Sequence, residues 1–265
     1  MKRSVLAILM VAGTVVAPHV EAQTASDAAA SSPATAASSP ANPVDPAAIQ
    51  ALKTMGAHLQ SLKRFSVSVD LIGERVLDDG QKLQHSATAQ LDVDRPHRVR
   101  AVMRTARSEH EIFYDGKTVS FYVPQQKYYS TVAFDDSLAA LVARLHERYG
   151  VEFPLSDLFV WGTPDAPTDQ FESAMFAGQD YIGSDITNHY AFRQKDIDWQ
   201  IWITPGEKPL PRKLVITRRD DDARPQSVSI IDWVMSPTFK DSVFTFRPPA
   251  GAKKIEIVPV GGKRE

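Results

Sequence analysis

The chain has 265 residues, 43% of them hydrophobic and 23% charged, with a formal net charge of −2. That balance excludes the strongly basic domain of a nucleic-acid binder, so no partner of that class is expected. The absence of cysteine excludes a disulfide scaffold, an iron–sulfur cluster, a cysteine nucleophile and a thiolate zinc site, as well as the lipid-modified cysteine of a bacterial lipoprotein.

Lys2 and Arg3 open the chain as a short basic stretch, and an apolar run follows from Val5 to Ala17. The run is too short for a hydrocarbon layer of about 30 Å and is broken by Pro18, while Val20-Glu21-Ala22 offers a small-residue cleavage pattern. Residues 1–22 therefore read as a signal peptide, and the mature protein as soluble and periplasmic. Residues 23–45 are Ala, Ser, Thr and Pro with hardly a charge, a composition that cannot bury enough apolar surface to order itself; they read as a disordered linker.

The folded domain is expected over 46–258, with a flexible tail at 259–265. Asp45 and Pro46 suit the N-cap and first position of a helix whose apolar face is Ile49, Leu52, Met55, Leu59 and Leu62. Alternation then takes over at Phe65, Val67, Val69 and Leu71, the pattern of a strand buried on one face. The same period runs through 83–93, 99–103, 109–114, 118–123 and 127–132. Asp79-Gly80 and Asp115-Gly116 supply hairpin turns, leaving no room for β-α-β crossovers.

Asp135 or Asp136 is placed to cap a helix carrying Leu138, Leu141, Val142, Leu145 and Tyr149, with Gly150 as its stop. A second short helix is expected from about Pro154, carrying Leu155, Leu158, Phe159 and Trp161. Strands resume at about 171–177, 180–184, 188–194, 198–204, 212–219 and 226–235. Phe244 to Pro249 closes the domain, with a last edge strand at 254–258. About eleven antiparallel strands in one chain must curl, and helices are the natural filling of the concave face. The fold class is α+β: a strongly bent, unclosed antiparallel β half-barrel with helices covering the concave apolar face.

Three segments carry a family resemblance: Leu91-Asp92-Val93-Asp94-Arg95-Pro96, Phe113-Tyr114-Asp115-Gly116-Lys117-Thr118-Val119-Ser120-Phe121-Tyr122, and Phe244-Thr245-Phe246-Arg247-Pro248-Pro249-Ala250-Gly251. In this order they resemble the LolA/LolB-like periplasmic lipoprotein carriers, and more closely an uncharacterised branch of predicted periplasmic proteins. The resemblance implies a cavity for a lipid, an acyl chain or an acylated protein, with an inner- or outer-membrane component as a further partner. Candidate lining residues are Phe65, Val67, Val69, Leu91, Val99, Met103, Tyr122, Tyr128, Trp199 and Ile201. The candidate lid is Leu138, Leu141, Val142, Leu145, Leu158 and Phe159. Read one at a time, each of these equally suits a packed core. Arg95 by itself reads as a strand-end arginine in solvent; the resemblance makes it a gate that hydrogen-bonds the lid. A second reading of the same fold is a regulatory module that binds a membrane-anchored signalling partner.

No metal or cofactor is expected. His110-Glu111 lacks the second histidine of a zinc motif, and no nucleophile elbow, P-loop or dinucleotide fingerprint occurs. Asp220-Asp221-Asp222 lacks the spaced ligands of a calcium loop and reads as a solvated turn. Arg98, Arg100 and Arg104 fall on one strand face, either a solvated surface or a patch for anionic headgroups.

Overall fold

The computed structural model describes residues 43–259 apart from 152, 165 and 167–169. The expected signal peptide, almost all of the linker and residues 260–265 lie outside the described residues. The elements are α1 (Pro46–Ser61), β1 (Arg64–Val76), β2 (Lys82–Asp94), β3 (Arg98–Arg104), β4 (Glu109–Tyr114), β5 (Thr118–Val123), β6 (Tyr128–Ala133), α2 (Leu138–Tyr149), α3 (Asp157–Val160), β7 (Ser173–Ile182), β8 (Asp185–Arg193), β9 (Ile197–Ile203), β10 (Pro211–Arg218), β11 (Gln226–Met235) and the two-residue β12 (Lys253–Lys254), with a 3-10 turn at Asp241–Val243.

All the strands join one 12-stranded sheet in the order β12-β6-β5-β4-β3-β2-β1-β11-β10-β9-β8-β7. Two meanders, β1 to β6 and β7 to β11, meet where β1 pairs with β11, Val67 opposite Trp233. The sheet is strongly curved and does not close. Register puts Val67, Leu91, Ala101, Ile112, Phe121 and Ser130 in one cross-strand row. That row continues the other way through Trp233, and it marks the concave face. One hydrophobic cluster unites this face with α1, α2 and α3.

The helices begin and end where their sequence chemistry allows. Asp45 accepts a hydrogen bond from the amide of Ala47 at 2.8 Å, with Pro46 at the first helical position, where no amide is needed. For α2 the cap is Ser137 rather than either aspartate, its hydroxyl accepting from Ala140 N–H at 3.2 Å. Asp136 is engaged otherwise. Its carboxylate accepts from Ser137 N–H and its carbonyl from the Tyr114 hydroxyl, both at 2.6 Å. Gly150 ends α2 in the left-handed conformation at φ 62°, as expected of a residue without a Cβ.

Three expectations need correction. The stretches at 171–177 and 180–184 are one strand, β7, because a bulge between Phe176 and Gly178, the latter at φ 122°, stands where a turn was expected. The last edge strand is two residues long and parallel to β6, so the sheet is not wholly antiparallel. The linker was expected to run to residue 45, yet Asp45 N–H already donates to Ala174 C=O at 2.9 Å and Ala174 N–H to Pro43 C=O at 2.8 Å.

Candidate functional site

The helices do not fill the whole concavity. At its β3–β6 end a cavity of about 520 Å³ remains, floored by Met103, Ile112, Phe121, Val123 and Tyr128. One wall is the chain that follows α2, through Val151 and Pro154; another is the C-terminal strap, Ile255 to Val258. The strap is held at its start, where Ile255 N–H donates to Tyr129 C=O at 2.8 Å. His110 is exposed at the rim, and Tyr128, also exposed, is the outer end of the floor. The alternation of β3 to β6 accounts for the apolar floor, since every second residue faces inward. The volume lies within the range of roughly 300–1,000 Å³ usual for small-molecule sites.

Of the candidate lining residues, Met103, Tyr122 and Tyr128 border this cavity, Met103 and Tyr128 from its concave side. Tyr122 is in the flooring strand but opposite Glu111 and Tyr129 in register. Its ring lies 5.4 Å from Phe246 on the other face, one residue out of phase with Phe121 and Val123. Phe65, Val67, Val69, Leu91, Val99, Trp199 and Ile201 are all buried in the continuous core. Apart from a small crevice beside Trp199, their part of the concavity is occupied by helices and by neighbouring aromatic rings such as Trp233, 5.4 Å from Phe65. The sequence reading did not single out Ile112, Phe121, Val123 or the strap. The first three carried the alternation signal, while the strap, distant in sequence, could not be placed.

The candidate lid residues Leu138, Leu141, Val142 and Leu145 of α2 and Leu158 and Phe159 of α3 are buried against the same core. Burying an aliphatic side chain contributes about 1.5–3 kcal/mol, so α2 is docked over its whole apolar face. Arg95 is half-buried, not in solvent. Its guanidinium donates to Gln60 Oε1 of α1 at 3.3 Å and to Leu158 C=O of α3 at 3.5 Å. It also lies 5.8 Å from the Phe159 ring. Nε has no partner, and burial pushes the Arg95 pKa down from its ordinary value. One cation thus links the strand end to α1 and α3.

The basic stretch of β3 is neutralised on the convex face. Arg98 pairs with Asp94 and with Asp241, Arg100 with Glu111 at 2.7 Å and Arg104 with Glu109 at 2.9 Å. These pairings favour the reading of an ordinary surface over a headgroup patch. Phe246 is 5.3–5.4 Å from Phe113, Tyr122 and Tyr129, and Phe244 is buried beneath Arg98 at 5.1 Å. The Phe-x-Phe-x-Pro-Pro segment is a clasp on the outside of the sheet. Among the described residues no group of three or more His, Asp or Glu is placed to hold a metal ion, and no helix is long and apolar enough to cross a membrane.

Comparison with solved structures finds matches at low identity. LprF from Mycobacterium bovis is 13% identical over 79% of this chain and 99% of its own, with a TM-score of 0.43. The Mycobacterium tuberculosis lipoprotein LppX is 13% identical over 74% and 98%, with a TM-score of 0.44. A LolA superfamily protein from Nitrosomonas europaea is 11% identical over 75% and 97%, with a TM-score of 0.33. No curated protein matches the sequence. A family model does, from residue 48 to residue 258, and it spans nearly all of the described fold. The chain belongs to the family described as predicted periplasmic protein (DUF2092).

Proposed function

We propose that the protein is a non-enzymatic periplasmic binding protein that holds an acyl chain, free or as part of a lipid or acylated protein, in the cavity beneath the C-terminal strap. The observation that supports this is the cavity itself, about 520 Å³ with an apolar floor built from four strands. An acyl chain gains about 0.8 kcal/mol for each methylene removed from water, which favours such a shelter in an aqueous compartment. Arg95 is proposed to hold α3 in place while the cavity is empty. The alternative, a regulatory module for a membrane-anchored partner, has one observation in its favour. The outer strand β7 leaves Met175, Phe176 and Tyr181 exposed, and an exposed strand edge can accept a partner's strand.

Titration with a fluorescent fatty acid tests the first reading. Saturable binding to the wild type is expected, with a loss of about tenfold or more in Val123→Trp, which fills the cavity. Native mass spectrometry of protein taken gently from the periplasm should also find a co-purified lipid. Absence of both signals would overturn the reading and leave the exposed β7 edge as the better lead.

A further inference from the structure

A second, smaller crevice lies at the other end of the concave face, between α3 and strands β9 and β10. Its volume is about 110 Å³, and its walls include Trp161, Trp199, Leu214 and Ile216. This is well below the roughly 300 Å³ lower limit of ordinary ligand pockets. It suits a head group, not a tail. The two indole rings are close to parallel, 21° apart, with centroids separated by 6.4 Å. Trp161, Trp199 and Leu214 are all buried. The Trp199 indole N–H is occupied, donating to Gln194 Oε1 at 3.2 Å, and one face of its ring stacks on Phe192 with centroids 4.3 Å apart, which leaves the other side of the ring and Trp161 to the crevice.

Asp157, the first residue of α3, also lines this crevice. Among the described residues Asp157 has neither a salt bridge nor a side-chain hydrogen bond. Burial alone raises its pKa above the ordinary carboxylate value, with no charged neighbour offsetting it. A carboxylate removed from water costs free energy unless a positive group or hydrogen-bond donors compensate it. Aromatic faces attract cations within about 6 Å of the ring centroid. Asp157 is half-buried, and a carboxylate that lines a head-group-sized crevice together with two indole rings is complementary to one kind of ligand.

We propose that the crevice formed by Asp157, Trp161 and Trp199 is a binding site for an alkylammonium group, primary or quaternary. The ligand is either a free amine or the ammonium of a lipid headgroup. This site is separate from the large cavity and does not depend on what that cavity holds.

Calorimetric titration of the mature protein with choline and with ethanolamine tests it, supported by tryptophan fluorescence. Saturable binding of at least one amine is expected. The uncharged isostere 3,3-dimethyl-1-butanol should bind at least about tenfold more weakly, because it lacks the charge that the carboxylate and the π-faces attract. Asp157→Asn, which preserves side-chain size, should lose about tenfold or more in amine affinity while its thermal melt remains cooperative. Adding phosphatidylethanolamine to phosphatidylglycerol vesicles separates the two sources. Enhanced binding that Asp157→Asn abolishes supports a headgroup; amine binding without that enhancement supports a soluble amine. No saturable amine binding, equal binding of the neutral isostere, or unchanged affinity in Asp157→Asn would overturn the proposal. The wild-type comparison of choline with its isostere requires no variant. Failure of the fatty-acid titration would leave these results unaffected.

Discussion

Two side chains flank α3 with opposite charge, and each makes a separate prediction. Arg95 ties Gln60 and Leu158 C=O together through long hydrogen bonds, while its Nε is buried without a partner. Arg95→Leu therefore removes both attraction and desolvation, and its effect on stability in urea should be below about 1.5 kcal/mol. If the guanidinium restrains the lid, loosening that restraint by about 1.4 kcal/mol populates the open state about tenfold more. Apparent affinity for a fluorescent fatty acid should then rise by a similar factor. Equal affinities in the two proteins would show that Arg95 braces the helices without gating. At Asp157 the folded-state pKa is raised by burial. Folding then favours the protonated form, and this contribution is lost as pH rises from the ordinary carboxylate range through the folded-state pKa. Asp157→Asn should accordingly stabilise the protein more at pH 7 than at pH 4. Denaturant melts of both proteins at the two pH values measure the difference, and a constant gap would mean that the carboxylate is well solvated.

The elements are held by contacts that their own periodicities do not reveal. A Cβ placed on Gly56 of α1 would lie 2.5 Å from the backbone N of Gly162, and one on Gly162 would lie 2.3 Å from Gly56 C=O. The helix and the turn after α3 thus meet backbone to backbone, with Gln60 Nε2 donating to Trp161 C=O at 2.7 Å. Backbone cannot yield as a flexible side chain does. Gly56→Ala should lose about 1–3 kcal/mol in spite of alanine's better helix propensity; a variant as stable as wild type would mean that α1 can lift away at little cost. The C-terminal clasp makes a parallel case. Phe246→Ala removes three aromatic neighbours and should cost about 1–3 kcal/mol. Protease should also cut the segment after Phe246 sooner in that variant, since the clasp precedes the strap that walls the large cavity.

At the scale of the molecule, one sheet carries two meanders, and its two ends differ. The β12 end bears the strap and the large cavity. The β7 end is capped for a short distance by the chain entering α1, through the two backbone bonds at Ala174. This sets where the chain can be shortened. Removing residues 23–42 should leave the melting temperature within about two degrees, as expected for a segment of linker composition. Starting at Pro46 instead removes those two bonds and the Asp45 cap, which together are worth about 2–3 kcal/mol. Calorimetry on the two truncations distinguishes them, and a large loss in the shorter deletion would show that residues 23–42 pack.

What the sequence determined by itself was the local and periodic part of this protein. Two-residue alternation from Phe65 to Val132 specified strands and their buried face, and Asp45-Pro46 and Gly150 specified helix limits, because each depends on backbone chemistry within a few residues. The family match followed from short motifs of the same local kind. The tertiary structure alone decided which inward-facing residues are core and which border open space. Phe65 and Met103 obey the same alternation, but helices and rings from distant parts of the chain pack around the first, while the second is left facing a cavity. It also decided that Tyr122 turns outward against Phe246, that Arg95 reaches both α1 and α3, and that Asp157 shares a crevice with Trp161 and Trp199. Such meetings join residues tens of positions apart, and curvature and loop paths set them through packing of the whole chain.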